Sequence, residues 1–402
     1  MSASIFANVE LAPRDPILGL TEGFNSDTRS EKVNLGVGVY YDDNGKIPLL
    51  AAVKAAEKTR IEAAPARGYQ PIEGPAAYNG AVQALLFGNG SDLVASGQVI
   101  TAQALGGTGA LKIGADFLKK LSPDASIYIS DPSWENHRAL FESAGFPVEN
   151  YPYYDPTTRG VNFPAMKSAL EALPAGSIVV LHACCHNPTG ADLNESQWGD
   201  VVEACRARKL TPFLDIAYQG FADGIEPDAA AVRMFAASGL QFFVSSSFSK
   251  SFSLYGERVG ALTIVTESRD EAARVLSQLK RVIRTNYSNP PTHGGAIVAA
   301  VLNSSELRQM WEDELAGMRD RIRTMRASLV ENLKSAGVEQ DFSFVTAQRG
   351  MFSYTGLSAA QVETLRSEFS IYAVSTGRIC LAALNSKNIE YVAKAIASVT
   401  KG

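Results

Sequence analysis

Short apolar runs recur through the middle of this chain, separated by segments of helical composition. QVITAQAL at 98–105, SIYI at 126–129, SIVVL at 177–181, TPFLDIA at 211–217 and QFFV at 241–244 each read as a buried strand. GALKIGADFLKKL, 109–121, is amphipathic at helical spacing through Leu111, Ala115, Leu118 and Leu121, and AAVKAAEKTRIEAA, 51–64, has helical composition. Strands alternating with helices predict an α/β domain with a mostly parallel sheet sandwiched by helices. In such sheets chemistry collects at the carboxyl ends of the strands.

At 402 residues the chain is too long for one small core, which predicts two domains. Net charge is −5 with no basic block, which argues against a nucleic-acid partner. No apolar run approaches the ~18 residues of a membrane helix. The start, MSASIFANVELAPRDP, has no basic n-region and no long apolar core, so no secretory signal is expected. Cys184, Cys185, Cys205 and Cys380 read as free, buried thiols of a reducing compartment, and a cytoplasmic location is expected.

Residues 304–336 carry Leu307, Trp311, Leu315, Met318, Ile322, Met325, Leu329 and Leu333 at spacings of three and four, one long amphipathic helix or two in tandem. The runs FSFV, GMFSY, IYAV and RICLAAL beyond it suggest a smaller α+β unit. The first ~47 residues have few periodic runs of their own, and they are expected to pack with that unit.

Chemistry concentrates in SFSKSFSLYGERVG, 247–260. FFV at 242–244 reads as a short strand, so Lys250 lies just past its end, amid Ser245, Ser246, Ser247, Ser249 and Ser251, with Arg258 eight residues on. A lysine there can form a Schiff base with an aldehyde cofactor, and hydroxyls with a guanidinium can hold a phosphate ester. GGTGALK, 106–112, opens a helix after a strand, where free amides attract phosphate; alone it is equally a tight turn. HNPTG, 186–190, is a rigid turn that can present the Asn187 amide as a donor, or a purely structural one. Asp215 sits inside an apolar run and should have a cationic partner, such as a protonated pyridine nitrogen, or be protonated; a salt bridge or a cap is the plain alternative. Tyr218 lies three residues on. SWENHRALF, 133–141, offers Trp134 to stack on a ring and His137 to orient Asp215, although Trp is often a core anchor. His182, His186 and His293 lack a metal-ligand spacing, so no metal is expected.

These motifs occur in one order: GGTG, SWENH, CCHNPTG, LDIAYQGF, SFSK…ER. Together with DPILGL at 15–20, VNLGVGVYYDDNGKIPLL at 33–50 and GRICLAAL at 377–384, they make the chain closely similar to the aspartate and aromatic amino acid aminotransferases, fold-type I enzymes that use pyridoxal phosphate. MFSYTGLSAAQV, DPSWENH and LDIAYQGF look closest to the aromatic branch. The resemblance implies that Lys250 carries the cofactor and moves the α-proton, and that Asp215, supported by His137, keeps the pyridine nitrogen protonated. It implies that Asn187 and Tyr218 bond the phenolate oxygen, that Trp134 stacks on the ring, and that Gly107, Thr108, Ser247, Ser249 and Arg258 hold the phosphate. It implies that Tyr69 and Arg284 reach the site across a homodimer, Arg284 toward a dicarboxylate side chain. Arg378 then forks the substrate α-carboxylate, and Val37 with Gly38 covers the substrate. The domains implied are a large one over 48–315 and a discontinuous small one joining 1–47 with 316–402.

The resemblance implies ping-pong transamination of tyrosine, phenylalanine and aspartate with 2-oxoglutarate as amino acceptor. A narrow aspartate aminotransferase is the alternative: Arg284, Thr108 and Asn289 are compatible with it, whereas Tyr41 and Ile47, near the substrate entrance in the family, look aromatic. A lyase on the same fold is disfavoured by the paired arginines. A decayed binding protein is disfavoured by the retained Lys250 and Asp215.

Overall fold

Seven strands make the central sheet, in the order β1 (Val99–Leu105), β7 (Val259–Val265), β6 (Phe242–Ser247), β5 (Thr211–Ile216), β4 (Ile178–His182), β2 (Ile127–Asp131) and β3 (Val148–Pro152). β7 runs antiparallel to both neighbours, and the other pairings are parallel. The computed structural model describes residues 4–12 and 17–400, so Asp15 and Pro16 of the DPILGL segment lie outside the described residues. β6 and β7 are buried throughout, as strands covered on both faces must be.

The fold is α/β with a mostly parallel sheet, as its apolar runs predicted, although Val148–Pro152 and Val259–Val265 were not among those runs. β6 does not stop at Val244. Ser245, Ser246 and Ser247 continue it, paired with Leu262, Ala261 and Gly260 of β7. Small side chains are tolerated there because helix α1 (Gly106–Leu121) packs close over the strand ends. FSFV makes no strand either. Phe344–Ala347 is a short helix, and β-rich composition gives way to the tertiary setting there.

The placement of β7 matters most for function. Its first residue, Val259, pairs with Leu105 at the end of β1, and Gly260 pairs with Ser247 at the end of β6. Because β7 alone is reversed, its amino end shares an edge with the carboxyl ends of the others. Arg258, immediately before β7, is thus brought beside the start of α1.

Helix α2 (Glu135–Ser143) follows β2. α3 (Arg269–Asn286) starts at Ser268, whose side chain accepts from the Glu271 amide, with Asp270 and Glu271 in its first turn. The 305–335 periodicity forms a single 31-residue helix, α4 (Ser305–Ser335), capped by Ser304 and burying Trp311, Leu315, Met318, Ile322, Met325, Leu329 and Leu333. Trp311 Nε1 donates to Ser251 O at 2.6 Å, and its ring stacks on Phe252 at 4.6 Å. These contacts tie α4 to the turn after Lys250.

Near the two chain ends, Val33–Asn34 pairs in parallel with Ile371–Tyr372, and Phe352–Tyr354 pairs antiparallel with Arg378–Cys380. Ser370 and Tyr372 both donate to Asp27. All four cysteines are free and buried. Among the described residues no helix is long and apolar enough to cross a membrane.

Candidate active site

A cavity of about 280 Å³ opens at the carboxyl edge of the sheet. Of the residues given a cofactor or substrate role above, Val37, Gly38, Gly107, Thr108, Trp134, Asn187, Asp215, Tyr218, Ser247, Ser249, Lys250, Arg258 and Arg378 line it, whereas His137, Tyr69 and Arg284 do not. Each arrives from a different element: Gly107 and Thr108 from the first turn of α1, Trp134 from the turn before α2, Asp215 from β5, and Ser247 from the end of β6.

One end of the cavity is built for an anion. Ser247, Ser249 and Arg258 converge there, with Arg258 Nη1 3.3 Å from Ser249 Oγ and Ser247 Oγ also 3.3 Å from Ser249 Oγ. The start of α1 directs its free amides to the same place. Gly106 has φ +69, and a Cβ there would lie 2.5 Å from Arg258 Nη2. Only glycine lets the guanidinium approach the helix start so closely.

The opposite wall holds the titrating groups. Asp215 Oδ2 is 2.9 Å from His137 Nε2, and His137 Nδ1 is 2.9 Å from Ser133 Oγ. Burial pushes the Asp215 carboxyl up, but the hydrogen bond from His137 and the charges around it, Lys250 among them, outweigh it, and the net direction is down. His182 ends β4 beside Asp215, and burial holds it down to about 3. It is a neutral imidazole. Ligand atoms of His137, His182 and Asp215 lie within 4.8 Å of one another, a grouping that sequence spacing did not show. Asp215 and His137 already engage each other, which fits a ring-nitrogen partner better than a metal.

Lys250 Nζ sits 4.7 Å over the Tyr218 ring. Burial lowers its pKa to about 8, with Asp215 opposing and Arg258 reinforcing the shift. Burial also pushes the Tyr218 phenol up, so it stays a donor.

Arg378 is buried. Nη1 donates to Asn187 Oδ1 at 3.1 Å and Nη2 to Gly36 O at 2.7 Å, while Nε has no partner. A buried guanidinium nitrogen without an acceptor is expensive unless a ligand supplies one. With its oxygen taken by Arg378, Asn187 keeps its amide nitrogen for a ligand.

The single chain does not bring Tyr69 or Arg284 to the cavity. Tyr69 is 95% exposed. Arg284, exposed near the end of α3, donates to Ser288. Val37 and Gly38 line the cavity, whereas Tyr41 and Ile47 do not, and Ile47 is exposed. Sequence reasoning passed over Tyr255, whose hydroxyl accepts from the Tyr40 amide at 2.9 Å, and Phe352. Both stand inside quoted motifs, SFSLYGERVG and GMFSY, but carry no charge that would have drawn notice.

The model of aminotransferase class I and II matches residues 30–396. The chain belongs to this family. It is 69% identical to an aspartate aminotransferase of Pseudomonas aeruginosa over 98% of this chain and 100% of the relative. It is 52% identical to an aromatic-amino-acid aminotransferase of Escherichia coli over the same shares. Among solved structures, an aromatic-amino-acid aminotransferase from Burkholderia pseudomallei covalently bound to pyridoxal phosphate superposes with a TM-score of 0.97. It shares 71% identity over 99% of this chain and 100% of that one. The protein is an aminotransferase on the fold-type I scaffold.

Proposed function

We propose that this aminotransferase uses pyridoxal phosphate to exchange amino groups between tyrosine, phenylalanine or aspartate and 2-oxoglutarate, by a ping-pong scheme. The observation that carries this reading is the placement of a buried Lys250 in one cavity with an anion cradle, the Asp215–His137 pair and the unpartnered Nε of Arg378.

The residues present fit that cofactor. Ser247, Ser249, Arg258 and the amides of Gly107 and Thr108 would hold the phosphate. Trp134 would cover one face of the ring and exclude water. When bound, the group supplies an aldehyde for amine capture and a ring that takes up electrons from the α-carbon. Lys250 is basic enough to accept a proton from that carbon and acidic enough to return it, with a pKa near working pH. Asp215 would keep a proton on the ring nitrogen, and Asn187 and Tyr218 would donate to the phenolate oxygen. Arg378 clamps the α-carboxylate, and Val37 with Gly38 covers the substrate.

A homodimer with shared sites is part of the same reading, with Tyr69 and Arg284 acting in the neighbouring site. The exposed apolar side chains Ile5, Phe6, Val9, Leu11, Ile61 and Tyr69 support it, since such surface is normally covered. The division into 48–315 and 1–47 with 316–402 is supported by the pairing of Val33–Asn34 with Ile371–Tyr372 and by the reach of α4. A cytoplasmic location accords with four free thiols.

A narrow aspartate specificity is the second reading, favoured by the name of the Pseudomonas aeruginosa relative. Assaying a panel of amino donors with 2-oxoglutarate separates the two. Turnover of aspartate with none of tyrosine or phenylalanine establishes the narrow enzyme.

A further inference from the structure

Arg326 lies on α4, outside the cavity, and is 2% exposed. Its guanidinium ends in a ring of main-chain carbonyls. Nη1 donates to Val345 O at 2.8 Å. Nη2 donates to Phe352 O at 2.6 Å, Gly350 O at 2.8 Å and Arg349 O at 3.3 Å. A buried cation held by carbonyl dipoles is a poor device for stability alone, because an apolar side chain of similar volume fills such a space at lower desolvation cost. What the guanidinium does supply is a rigid fork that fixes several carbonyls at once.

The last of those carbonyls belongs to Phe352, whose ring meets the substrate end of the cavity. Arg378 Cζ stands 4.4 Å from the centre of that ring, and the Tyr218 ring meets it edge-on at 6.0 Å. On the Gly38 side the fit is so close that a Cβ would come within 2.6 Å of Phe352 Cζ. The same turn reaches the Asn187 loop, where the Arg349 amide donates to Gly190 O at 2.7 Å. Bidentate capture of a carboxylate requires the guanidinium plane to be held within about 10–20°. Two nitrogens of Arg378 are tied at their edges by Asn187 and Gly36, and the Phe352 ring supports its face.

We propose that Arg326 is a positioning residue for the carboxylate site: it anchors the Phe352 main chain, and through the Phe352 ring it sets the plane of the Arg378 guanidinium. This rests on the reading that Arg378 binds the substrate carboxylate. Lysine at 326 keeps the charge but offers one nitrogen where two are used.

The test uses cofactor-loaded protein and succinate, a dicarboxylate with no amino group to exchange. Its dissociation constant is measured by calorimetry for the wild type, Arg326→Lys, Arg326→Met, Phe352→Leu and the Arg326→Lys/Phe352→Leu pair. Circular dichroism confirms folding. Arg326→Lys is expected to bind succinate about ten-fold more weakly and to raise KM for aspartate in parallel, because small misplacements of a binding group are costly. Its kcat and the pH midpoint of its cofactor absorbance stay as in the wild type, since the Lys250–Asp215 end is untouched. Phe352→Leu moves binding the same way, and the pair binds no worse than the weaker single variant, as expected for two residues acting through one contact. Wild-type succinate affinity in folded Arg326→Lys overturns the proposal, as does additivity in the pair. Should Arg326→Met not fold, Arg326→Lys and Phe352→Leu decide the matter. Arg378→Lys separates the two ideas: unchanged succinate affinity there overturns the carboxylate reading itself, whereas weakened affinity there with normal affinity in Arg326→Lys overturns only the positioning role.

Discussion

Nε2 of His137 lies 2.9 Å from Oδ2 of Asp215, and both side chains are buried. Burial alone would raise this carboxyl's pKa, and the hydrogen bond from His137 opposes it, so the net direction is down, as the proposed partnership with a protonated ring nitrogen needs. Asp215→Ala is therefore expected to lower kcat by several orders of magnitude, because the lost interaction matters most where negative charge develops. Steady-state kinetics on cofactor-saturated enzyme checks it, and near-normal turnover rules the role out.

The lowered pKa of Lys250, about 8, predicts how the enzyme takes up its cofactor. Only the neutral amine attacks an aldehyde. At pH 7 roughly a tenth of the lysine is neutral at this pKa, against less than a thousandth for an ordinary lysine. Uptake by cofactor-free protein, followed by absorbance, should rise with pH and level off above about 8. Asp215 favours the ammonium, so Asp215→Ala moves the plateau to lower pH. Arg258 disfavours it, so Arg258→Leu moves the plateau higher. A wild-type rate that still climbs near pH 10, the ordinary lysine range, contradicts the assignment.

How far the sequence could be read follows from where each signal resides. Asp215 and Lys250 were legible because a charge inside or just beyond an apolar run has few explanations. The helical character of 305–335 was legible because its period persists, although the period alone did not separate one helix from two in tandem. The antiparallel course of Val259–Val265 was not, since a strand buried on both faces looks alike in either direction. Val148–Pro152 went unread because only Val148 and Tyr151 are buried in it. Phe352 went unread because a ring's position over Arg378 comes from two strands brought together far apart in the chain.

Shared sites predict complementation. Lys250→Ala and Arg284→Ala chains, each inactive toward dicarboxylates, should regain one working site when mixed and allowed to exchange. Aspartate turnover in the mixture reports it. No recovery, with subunit exchange demonstrated by mass labelling, argues that each site is built from one chain.

Arg284 also predicts how substrates are sorted. On the proposed reading a dicarboxylate would pair with it at the far end, whereas an aromatic ring would leave it to turn toward solvent on its long stem. The ring then rests on apolar surface near Val37 and Trp134, with burial contributing on the order of 1.5–3 kcal/mol. Arg284→Leu should damage aspartate turnover far more than tyrosine or phenylalanine turnover. Equal losses in kcat/KM for both classes refute this mechanism.

The reversed strand Val259–Val265 has a consequence for how the anion cradle is assembled. It is made after every other strand of the sheet, yet it stands between Val99–Leu105 and the rest. The Gly106 amide donates to Arg258 O at 2.9 Å, so the start of α1 is tied to a residue about 150 positions on in the chain. The cradle that the proposed cofactor would need is therefore a non-local feature, built only where residues 106–108 and 247–258 meet.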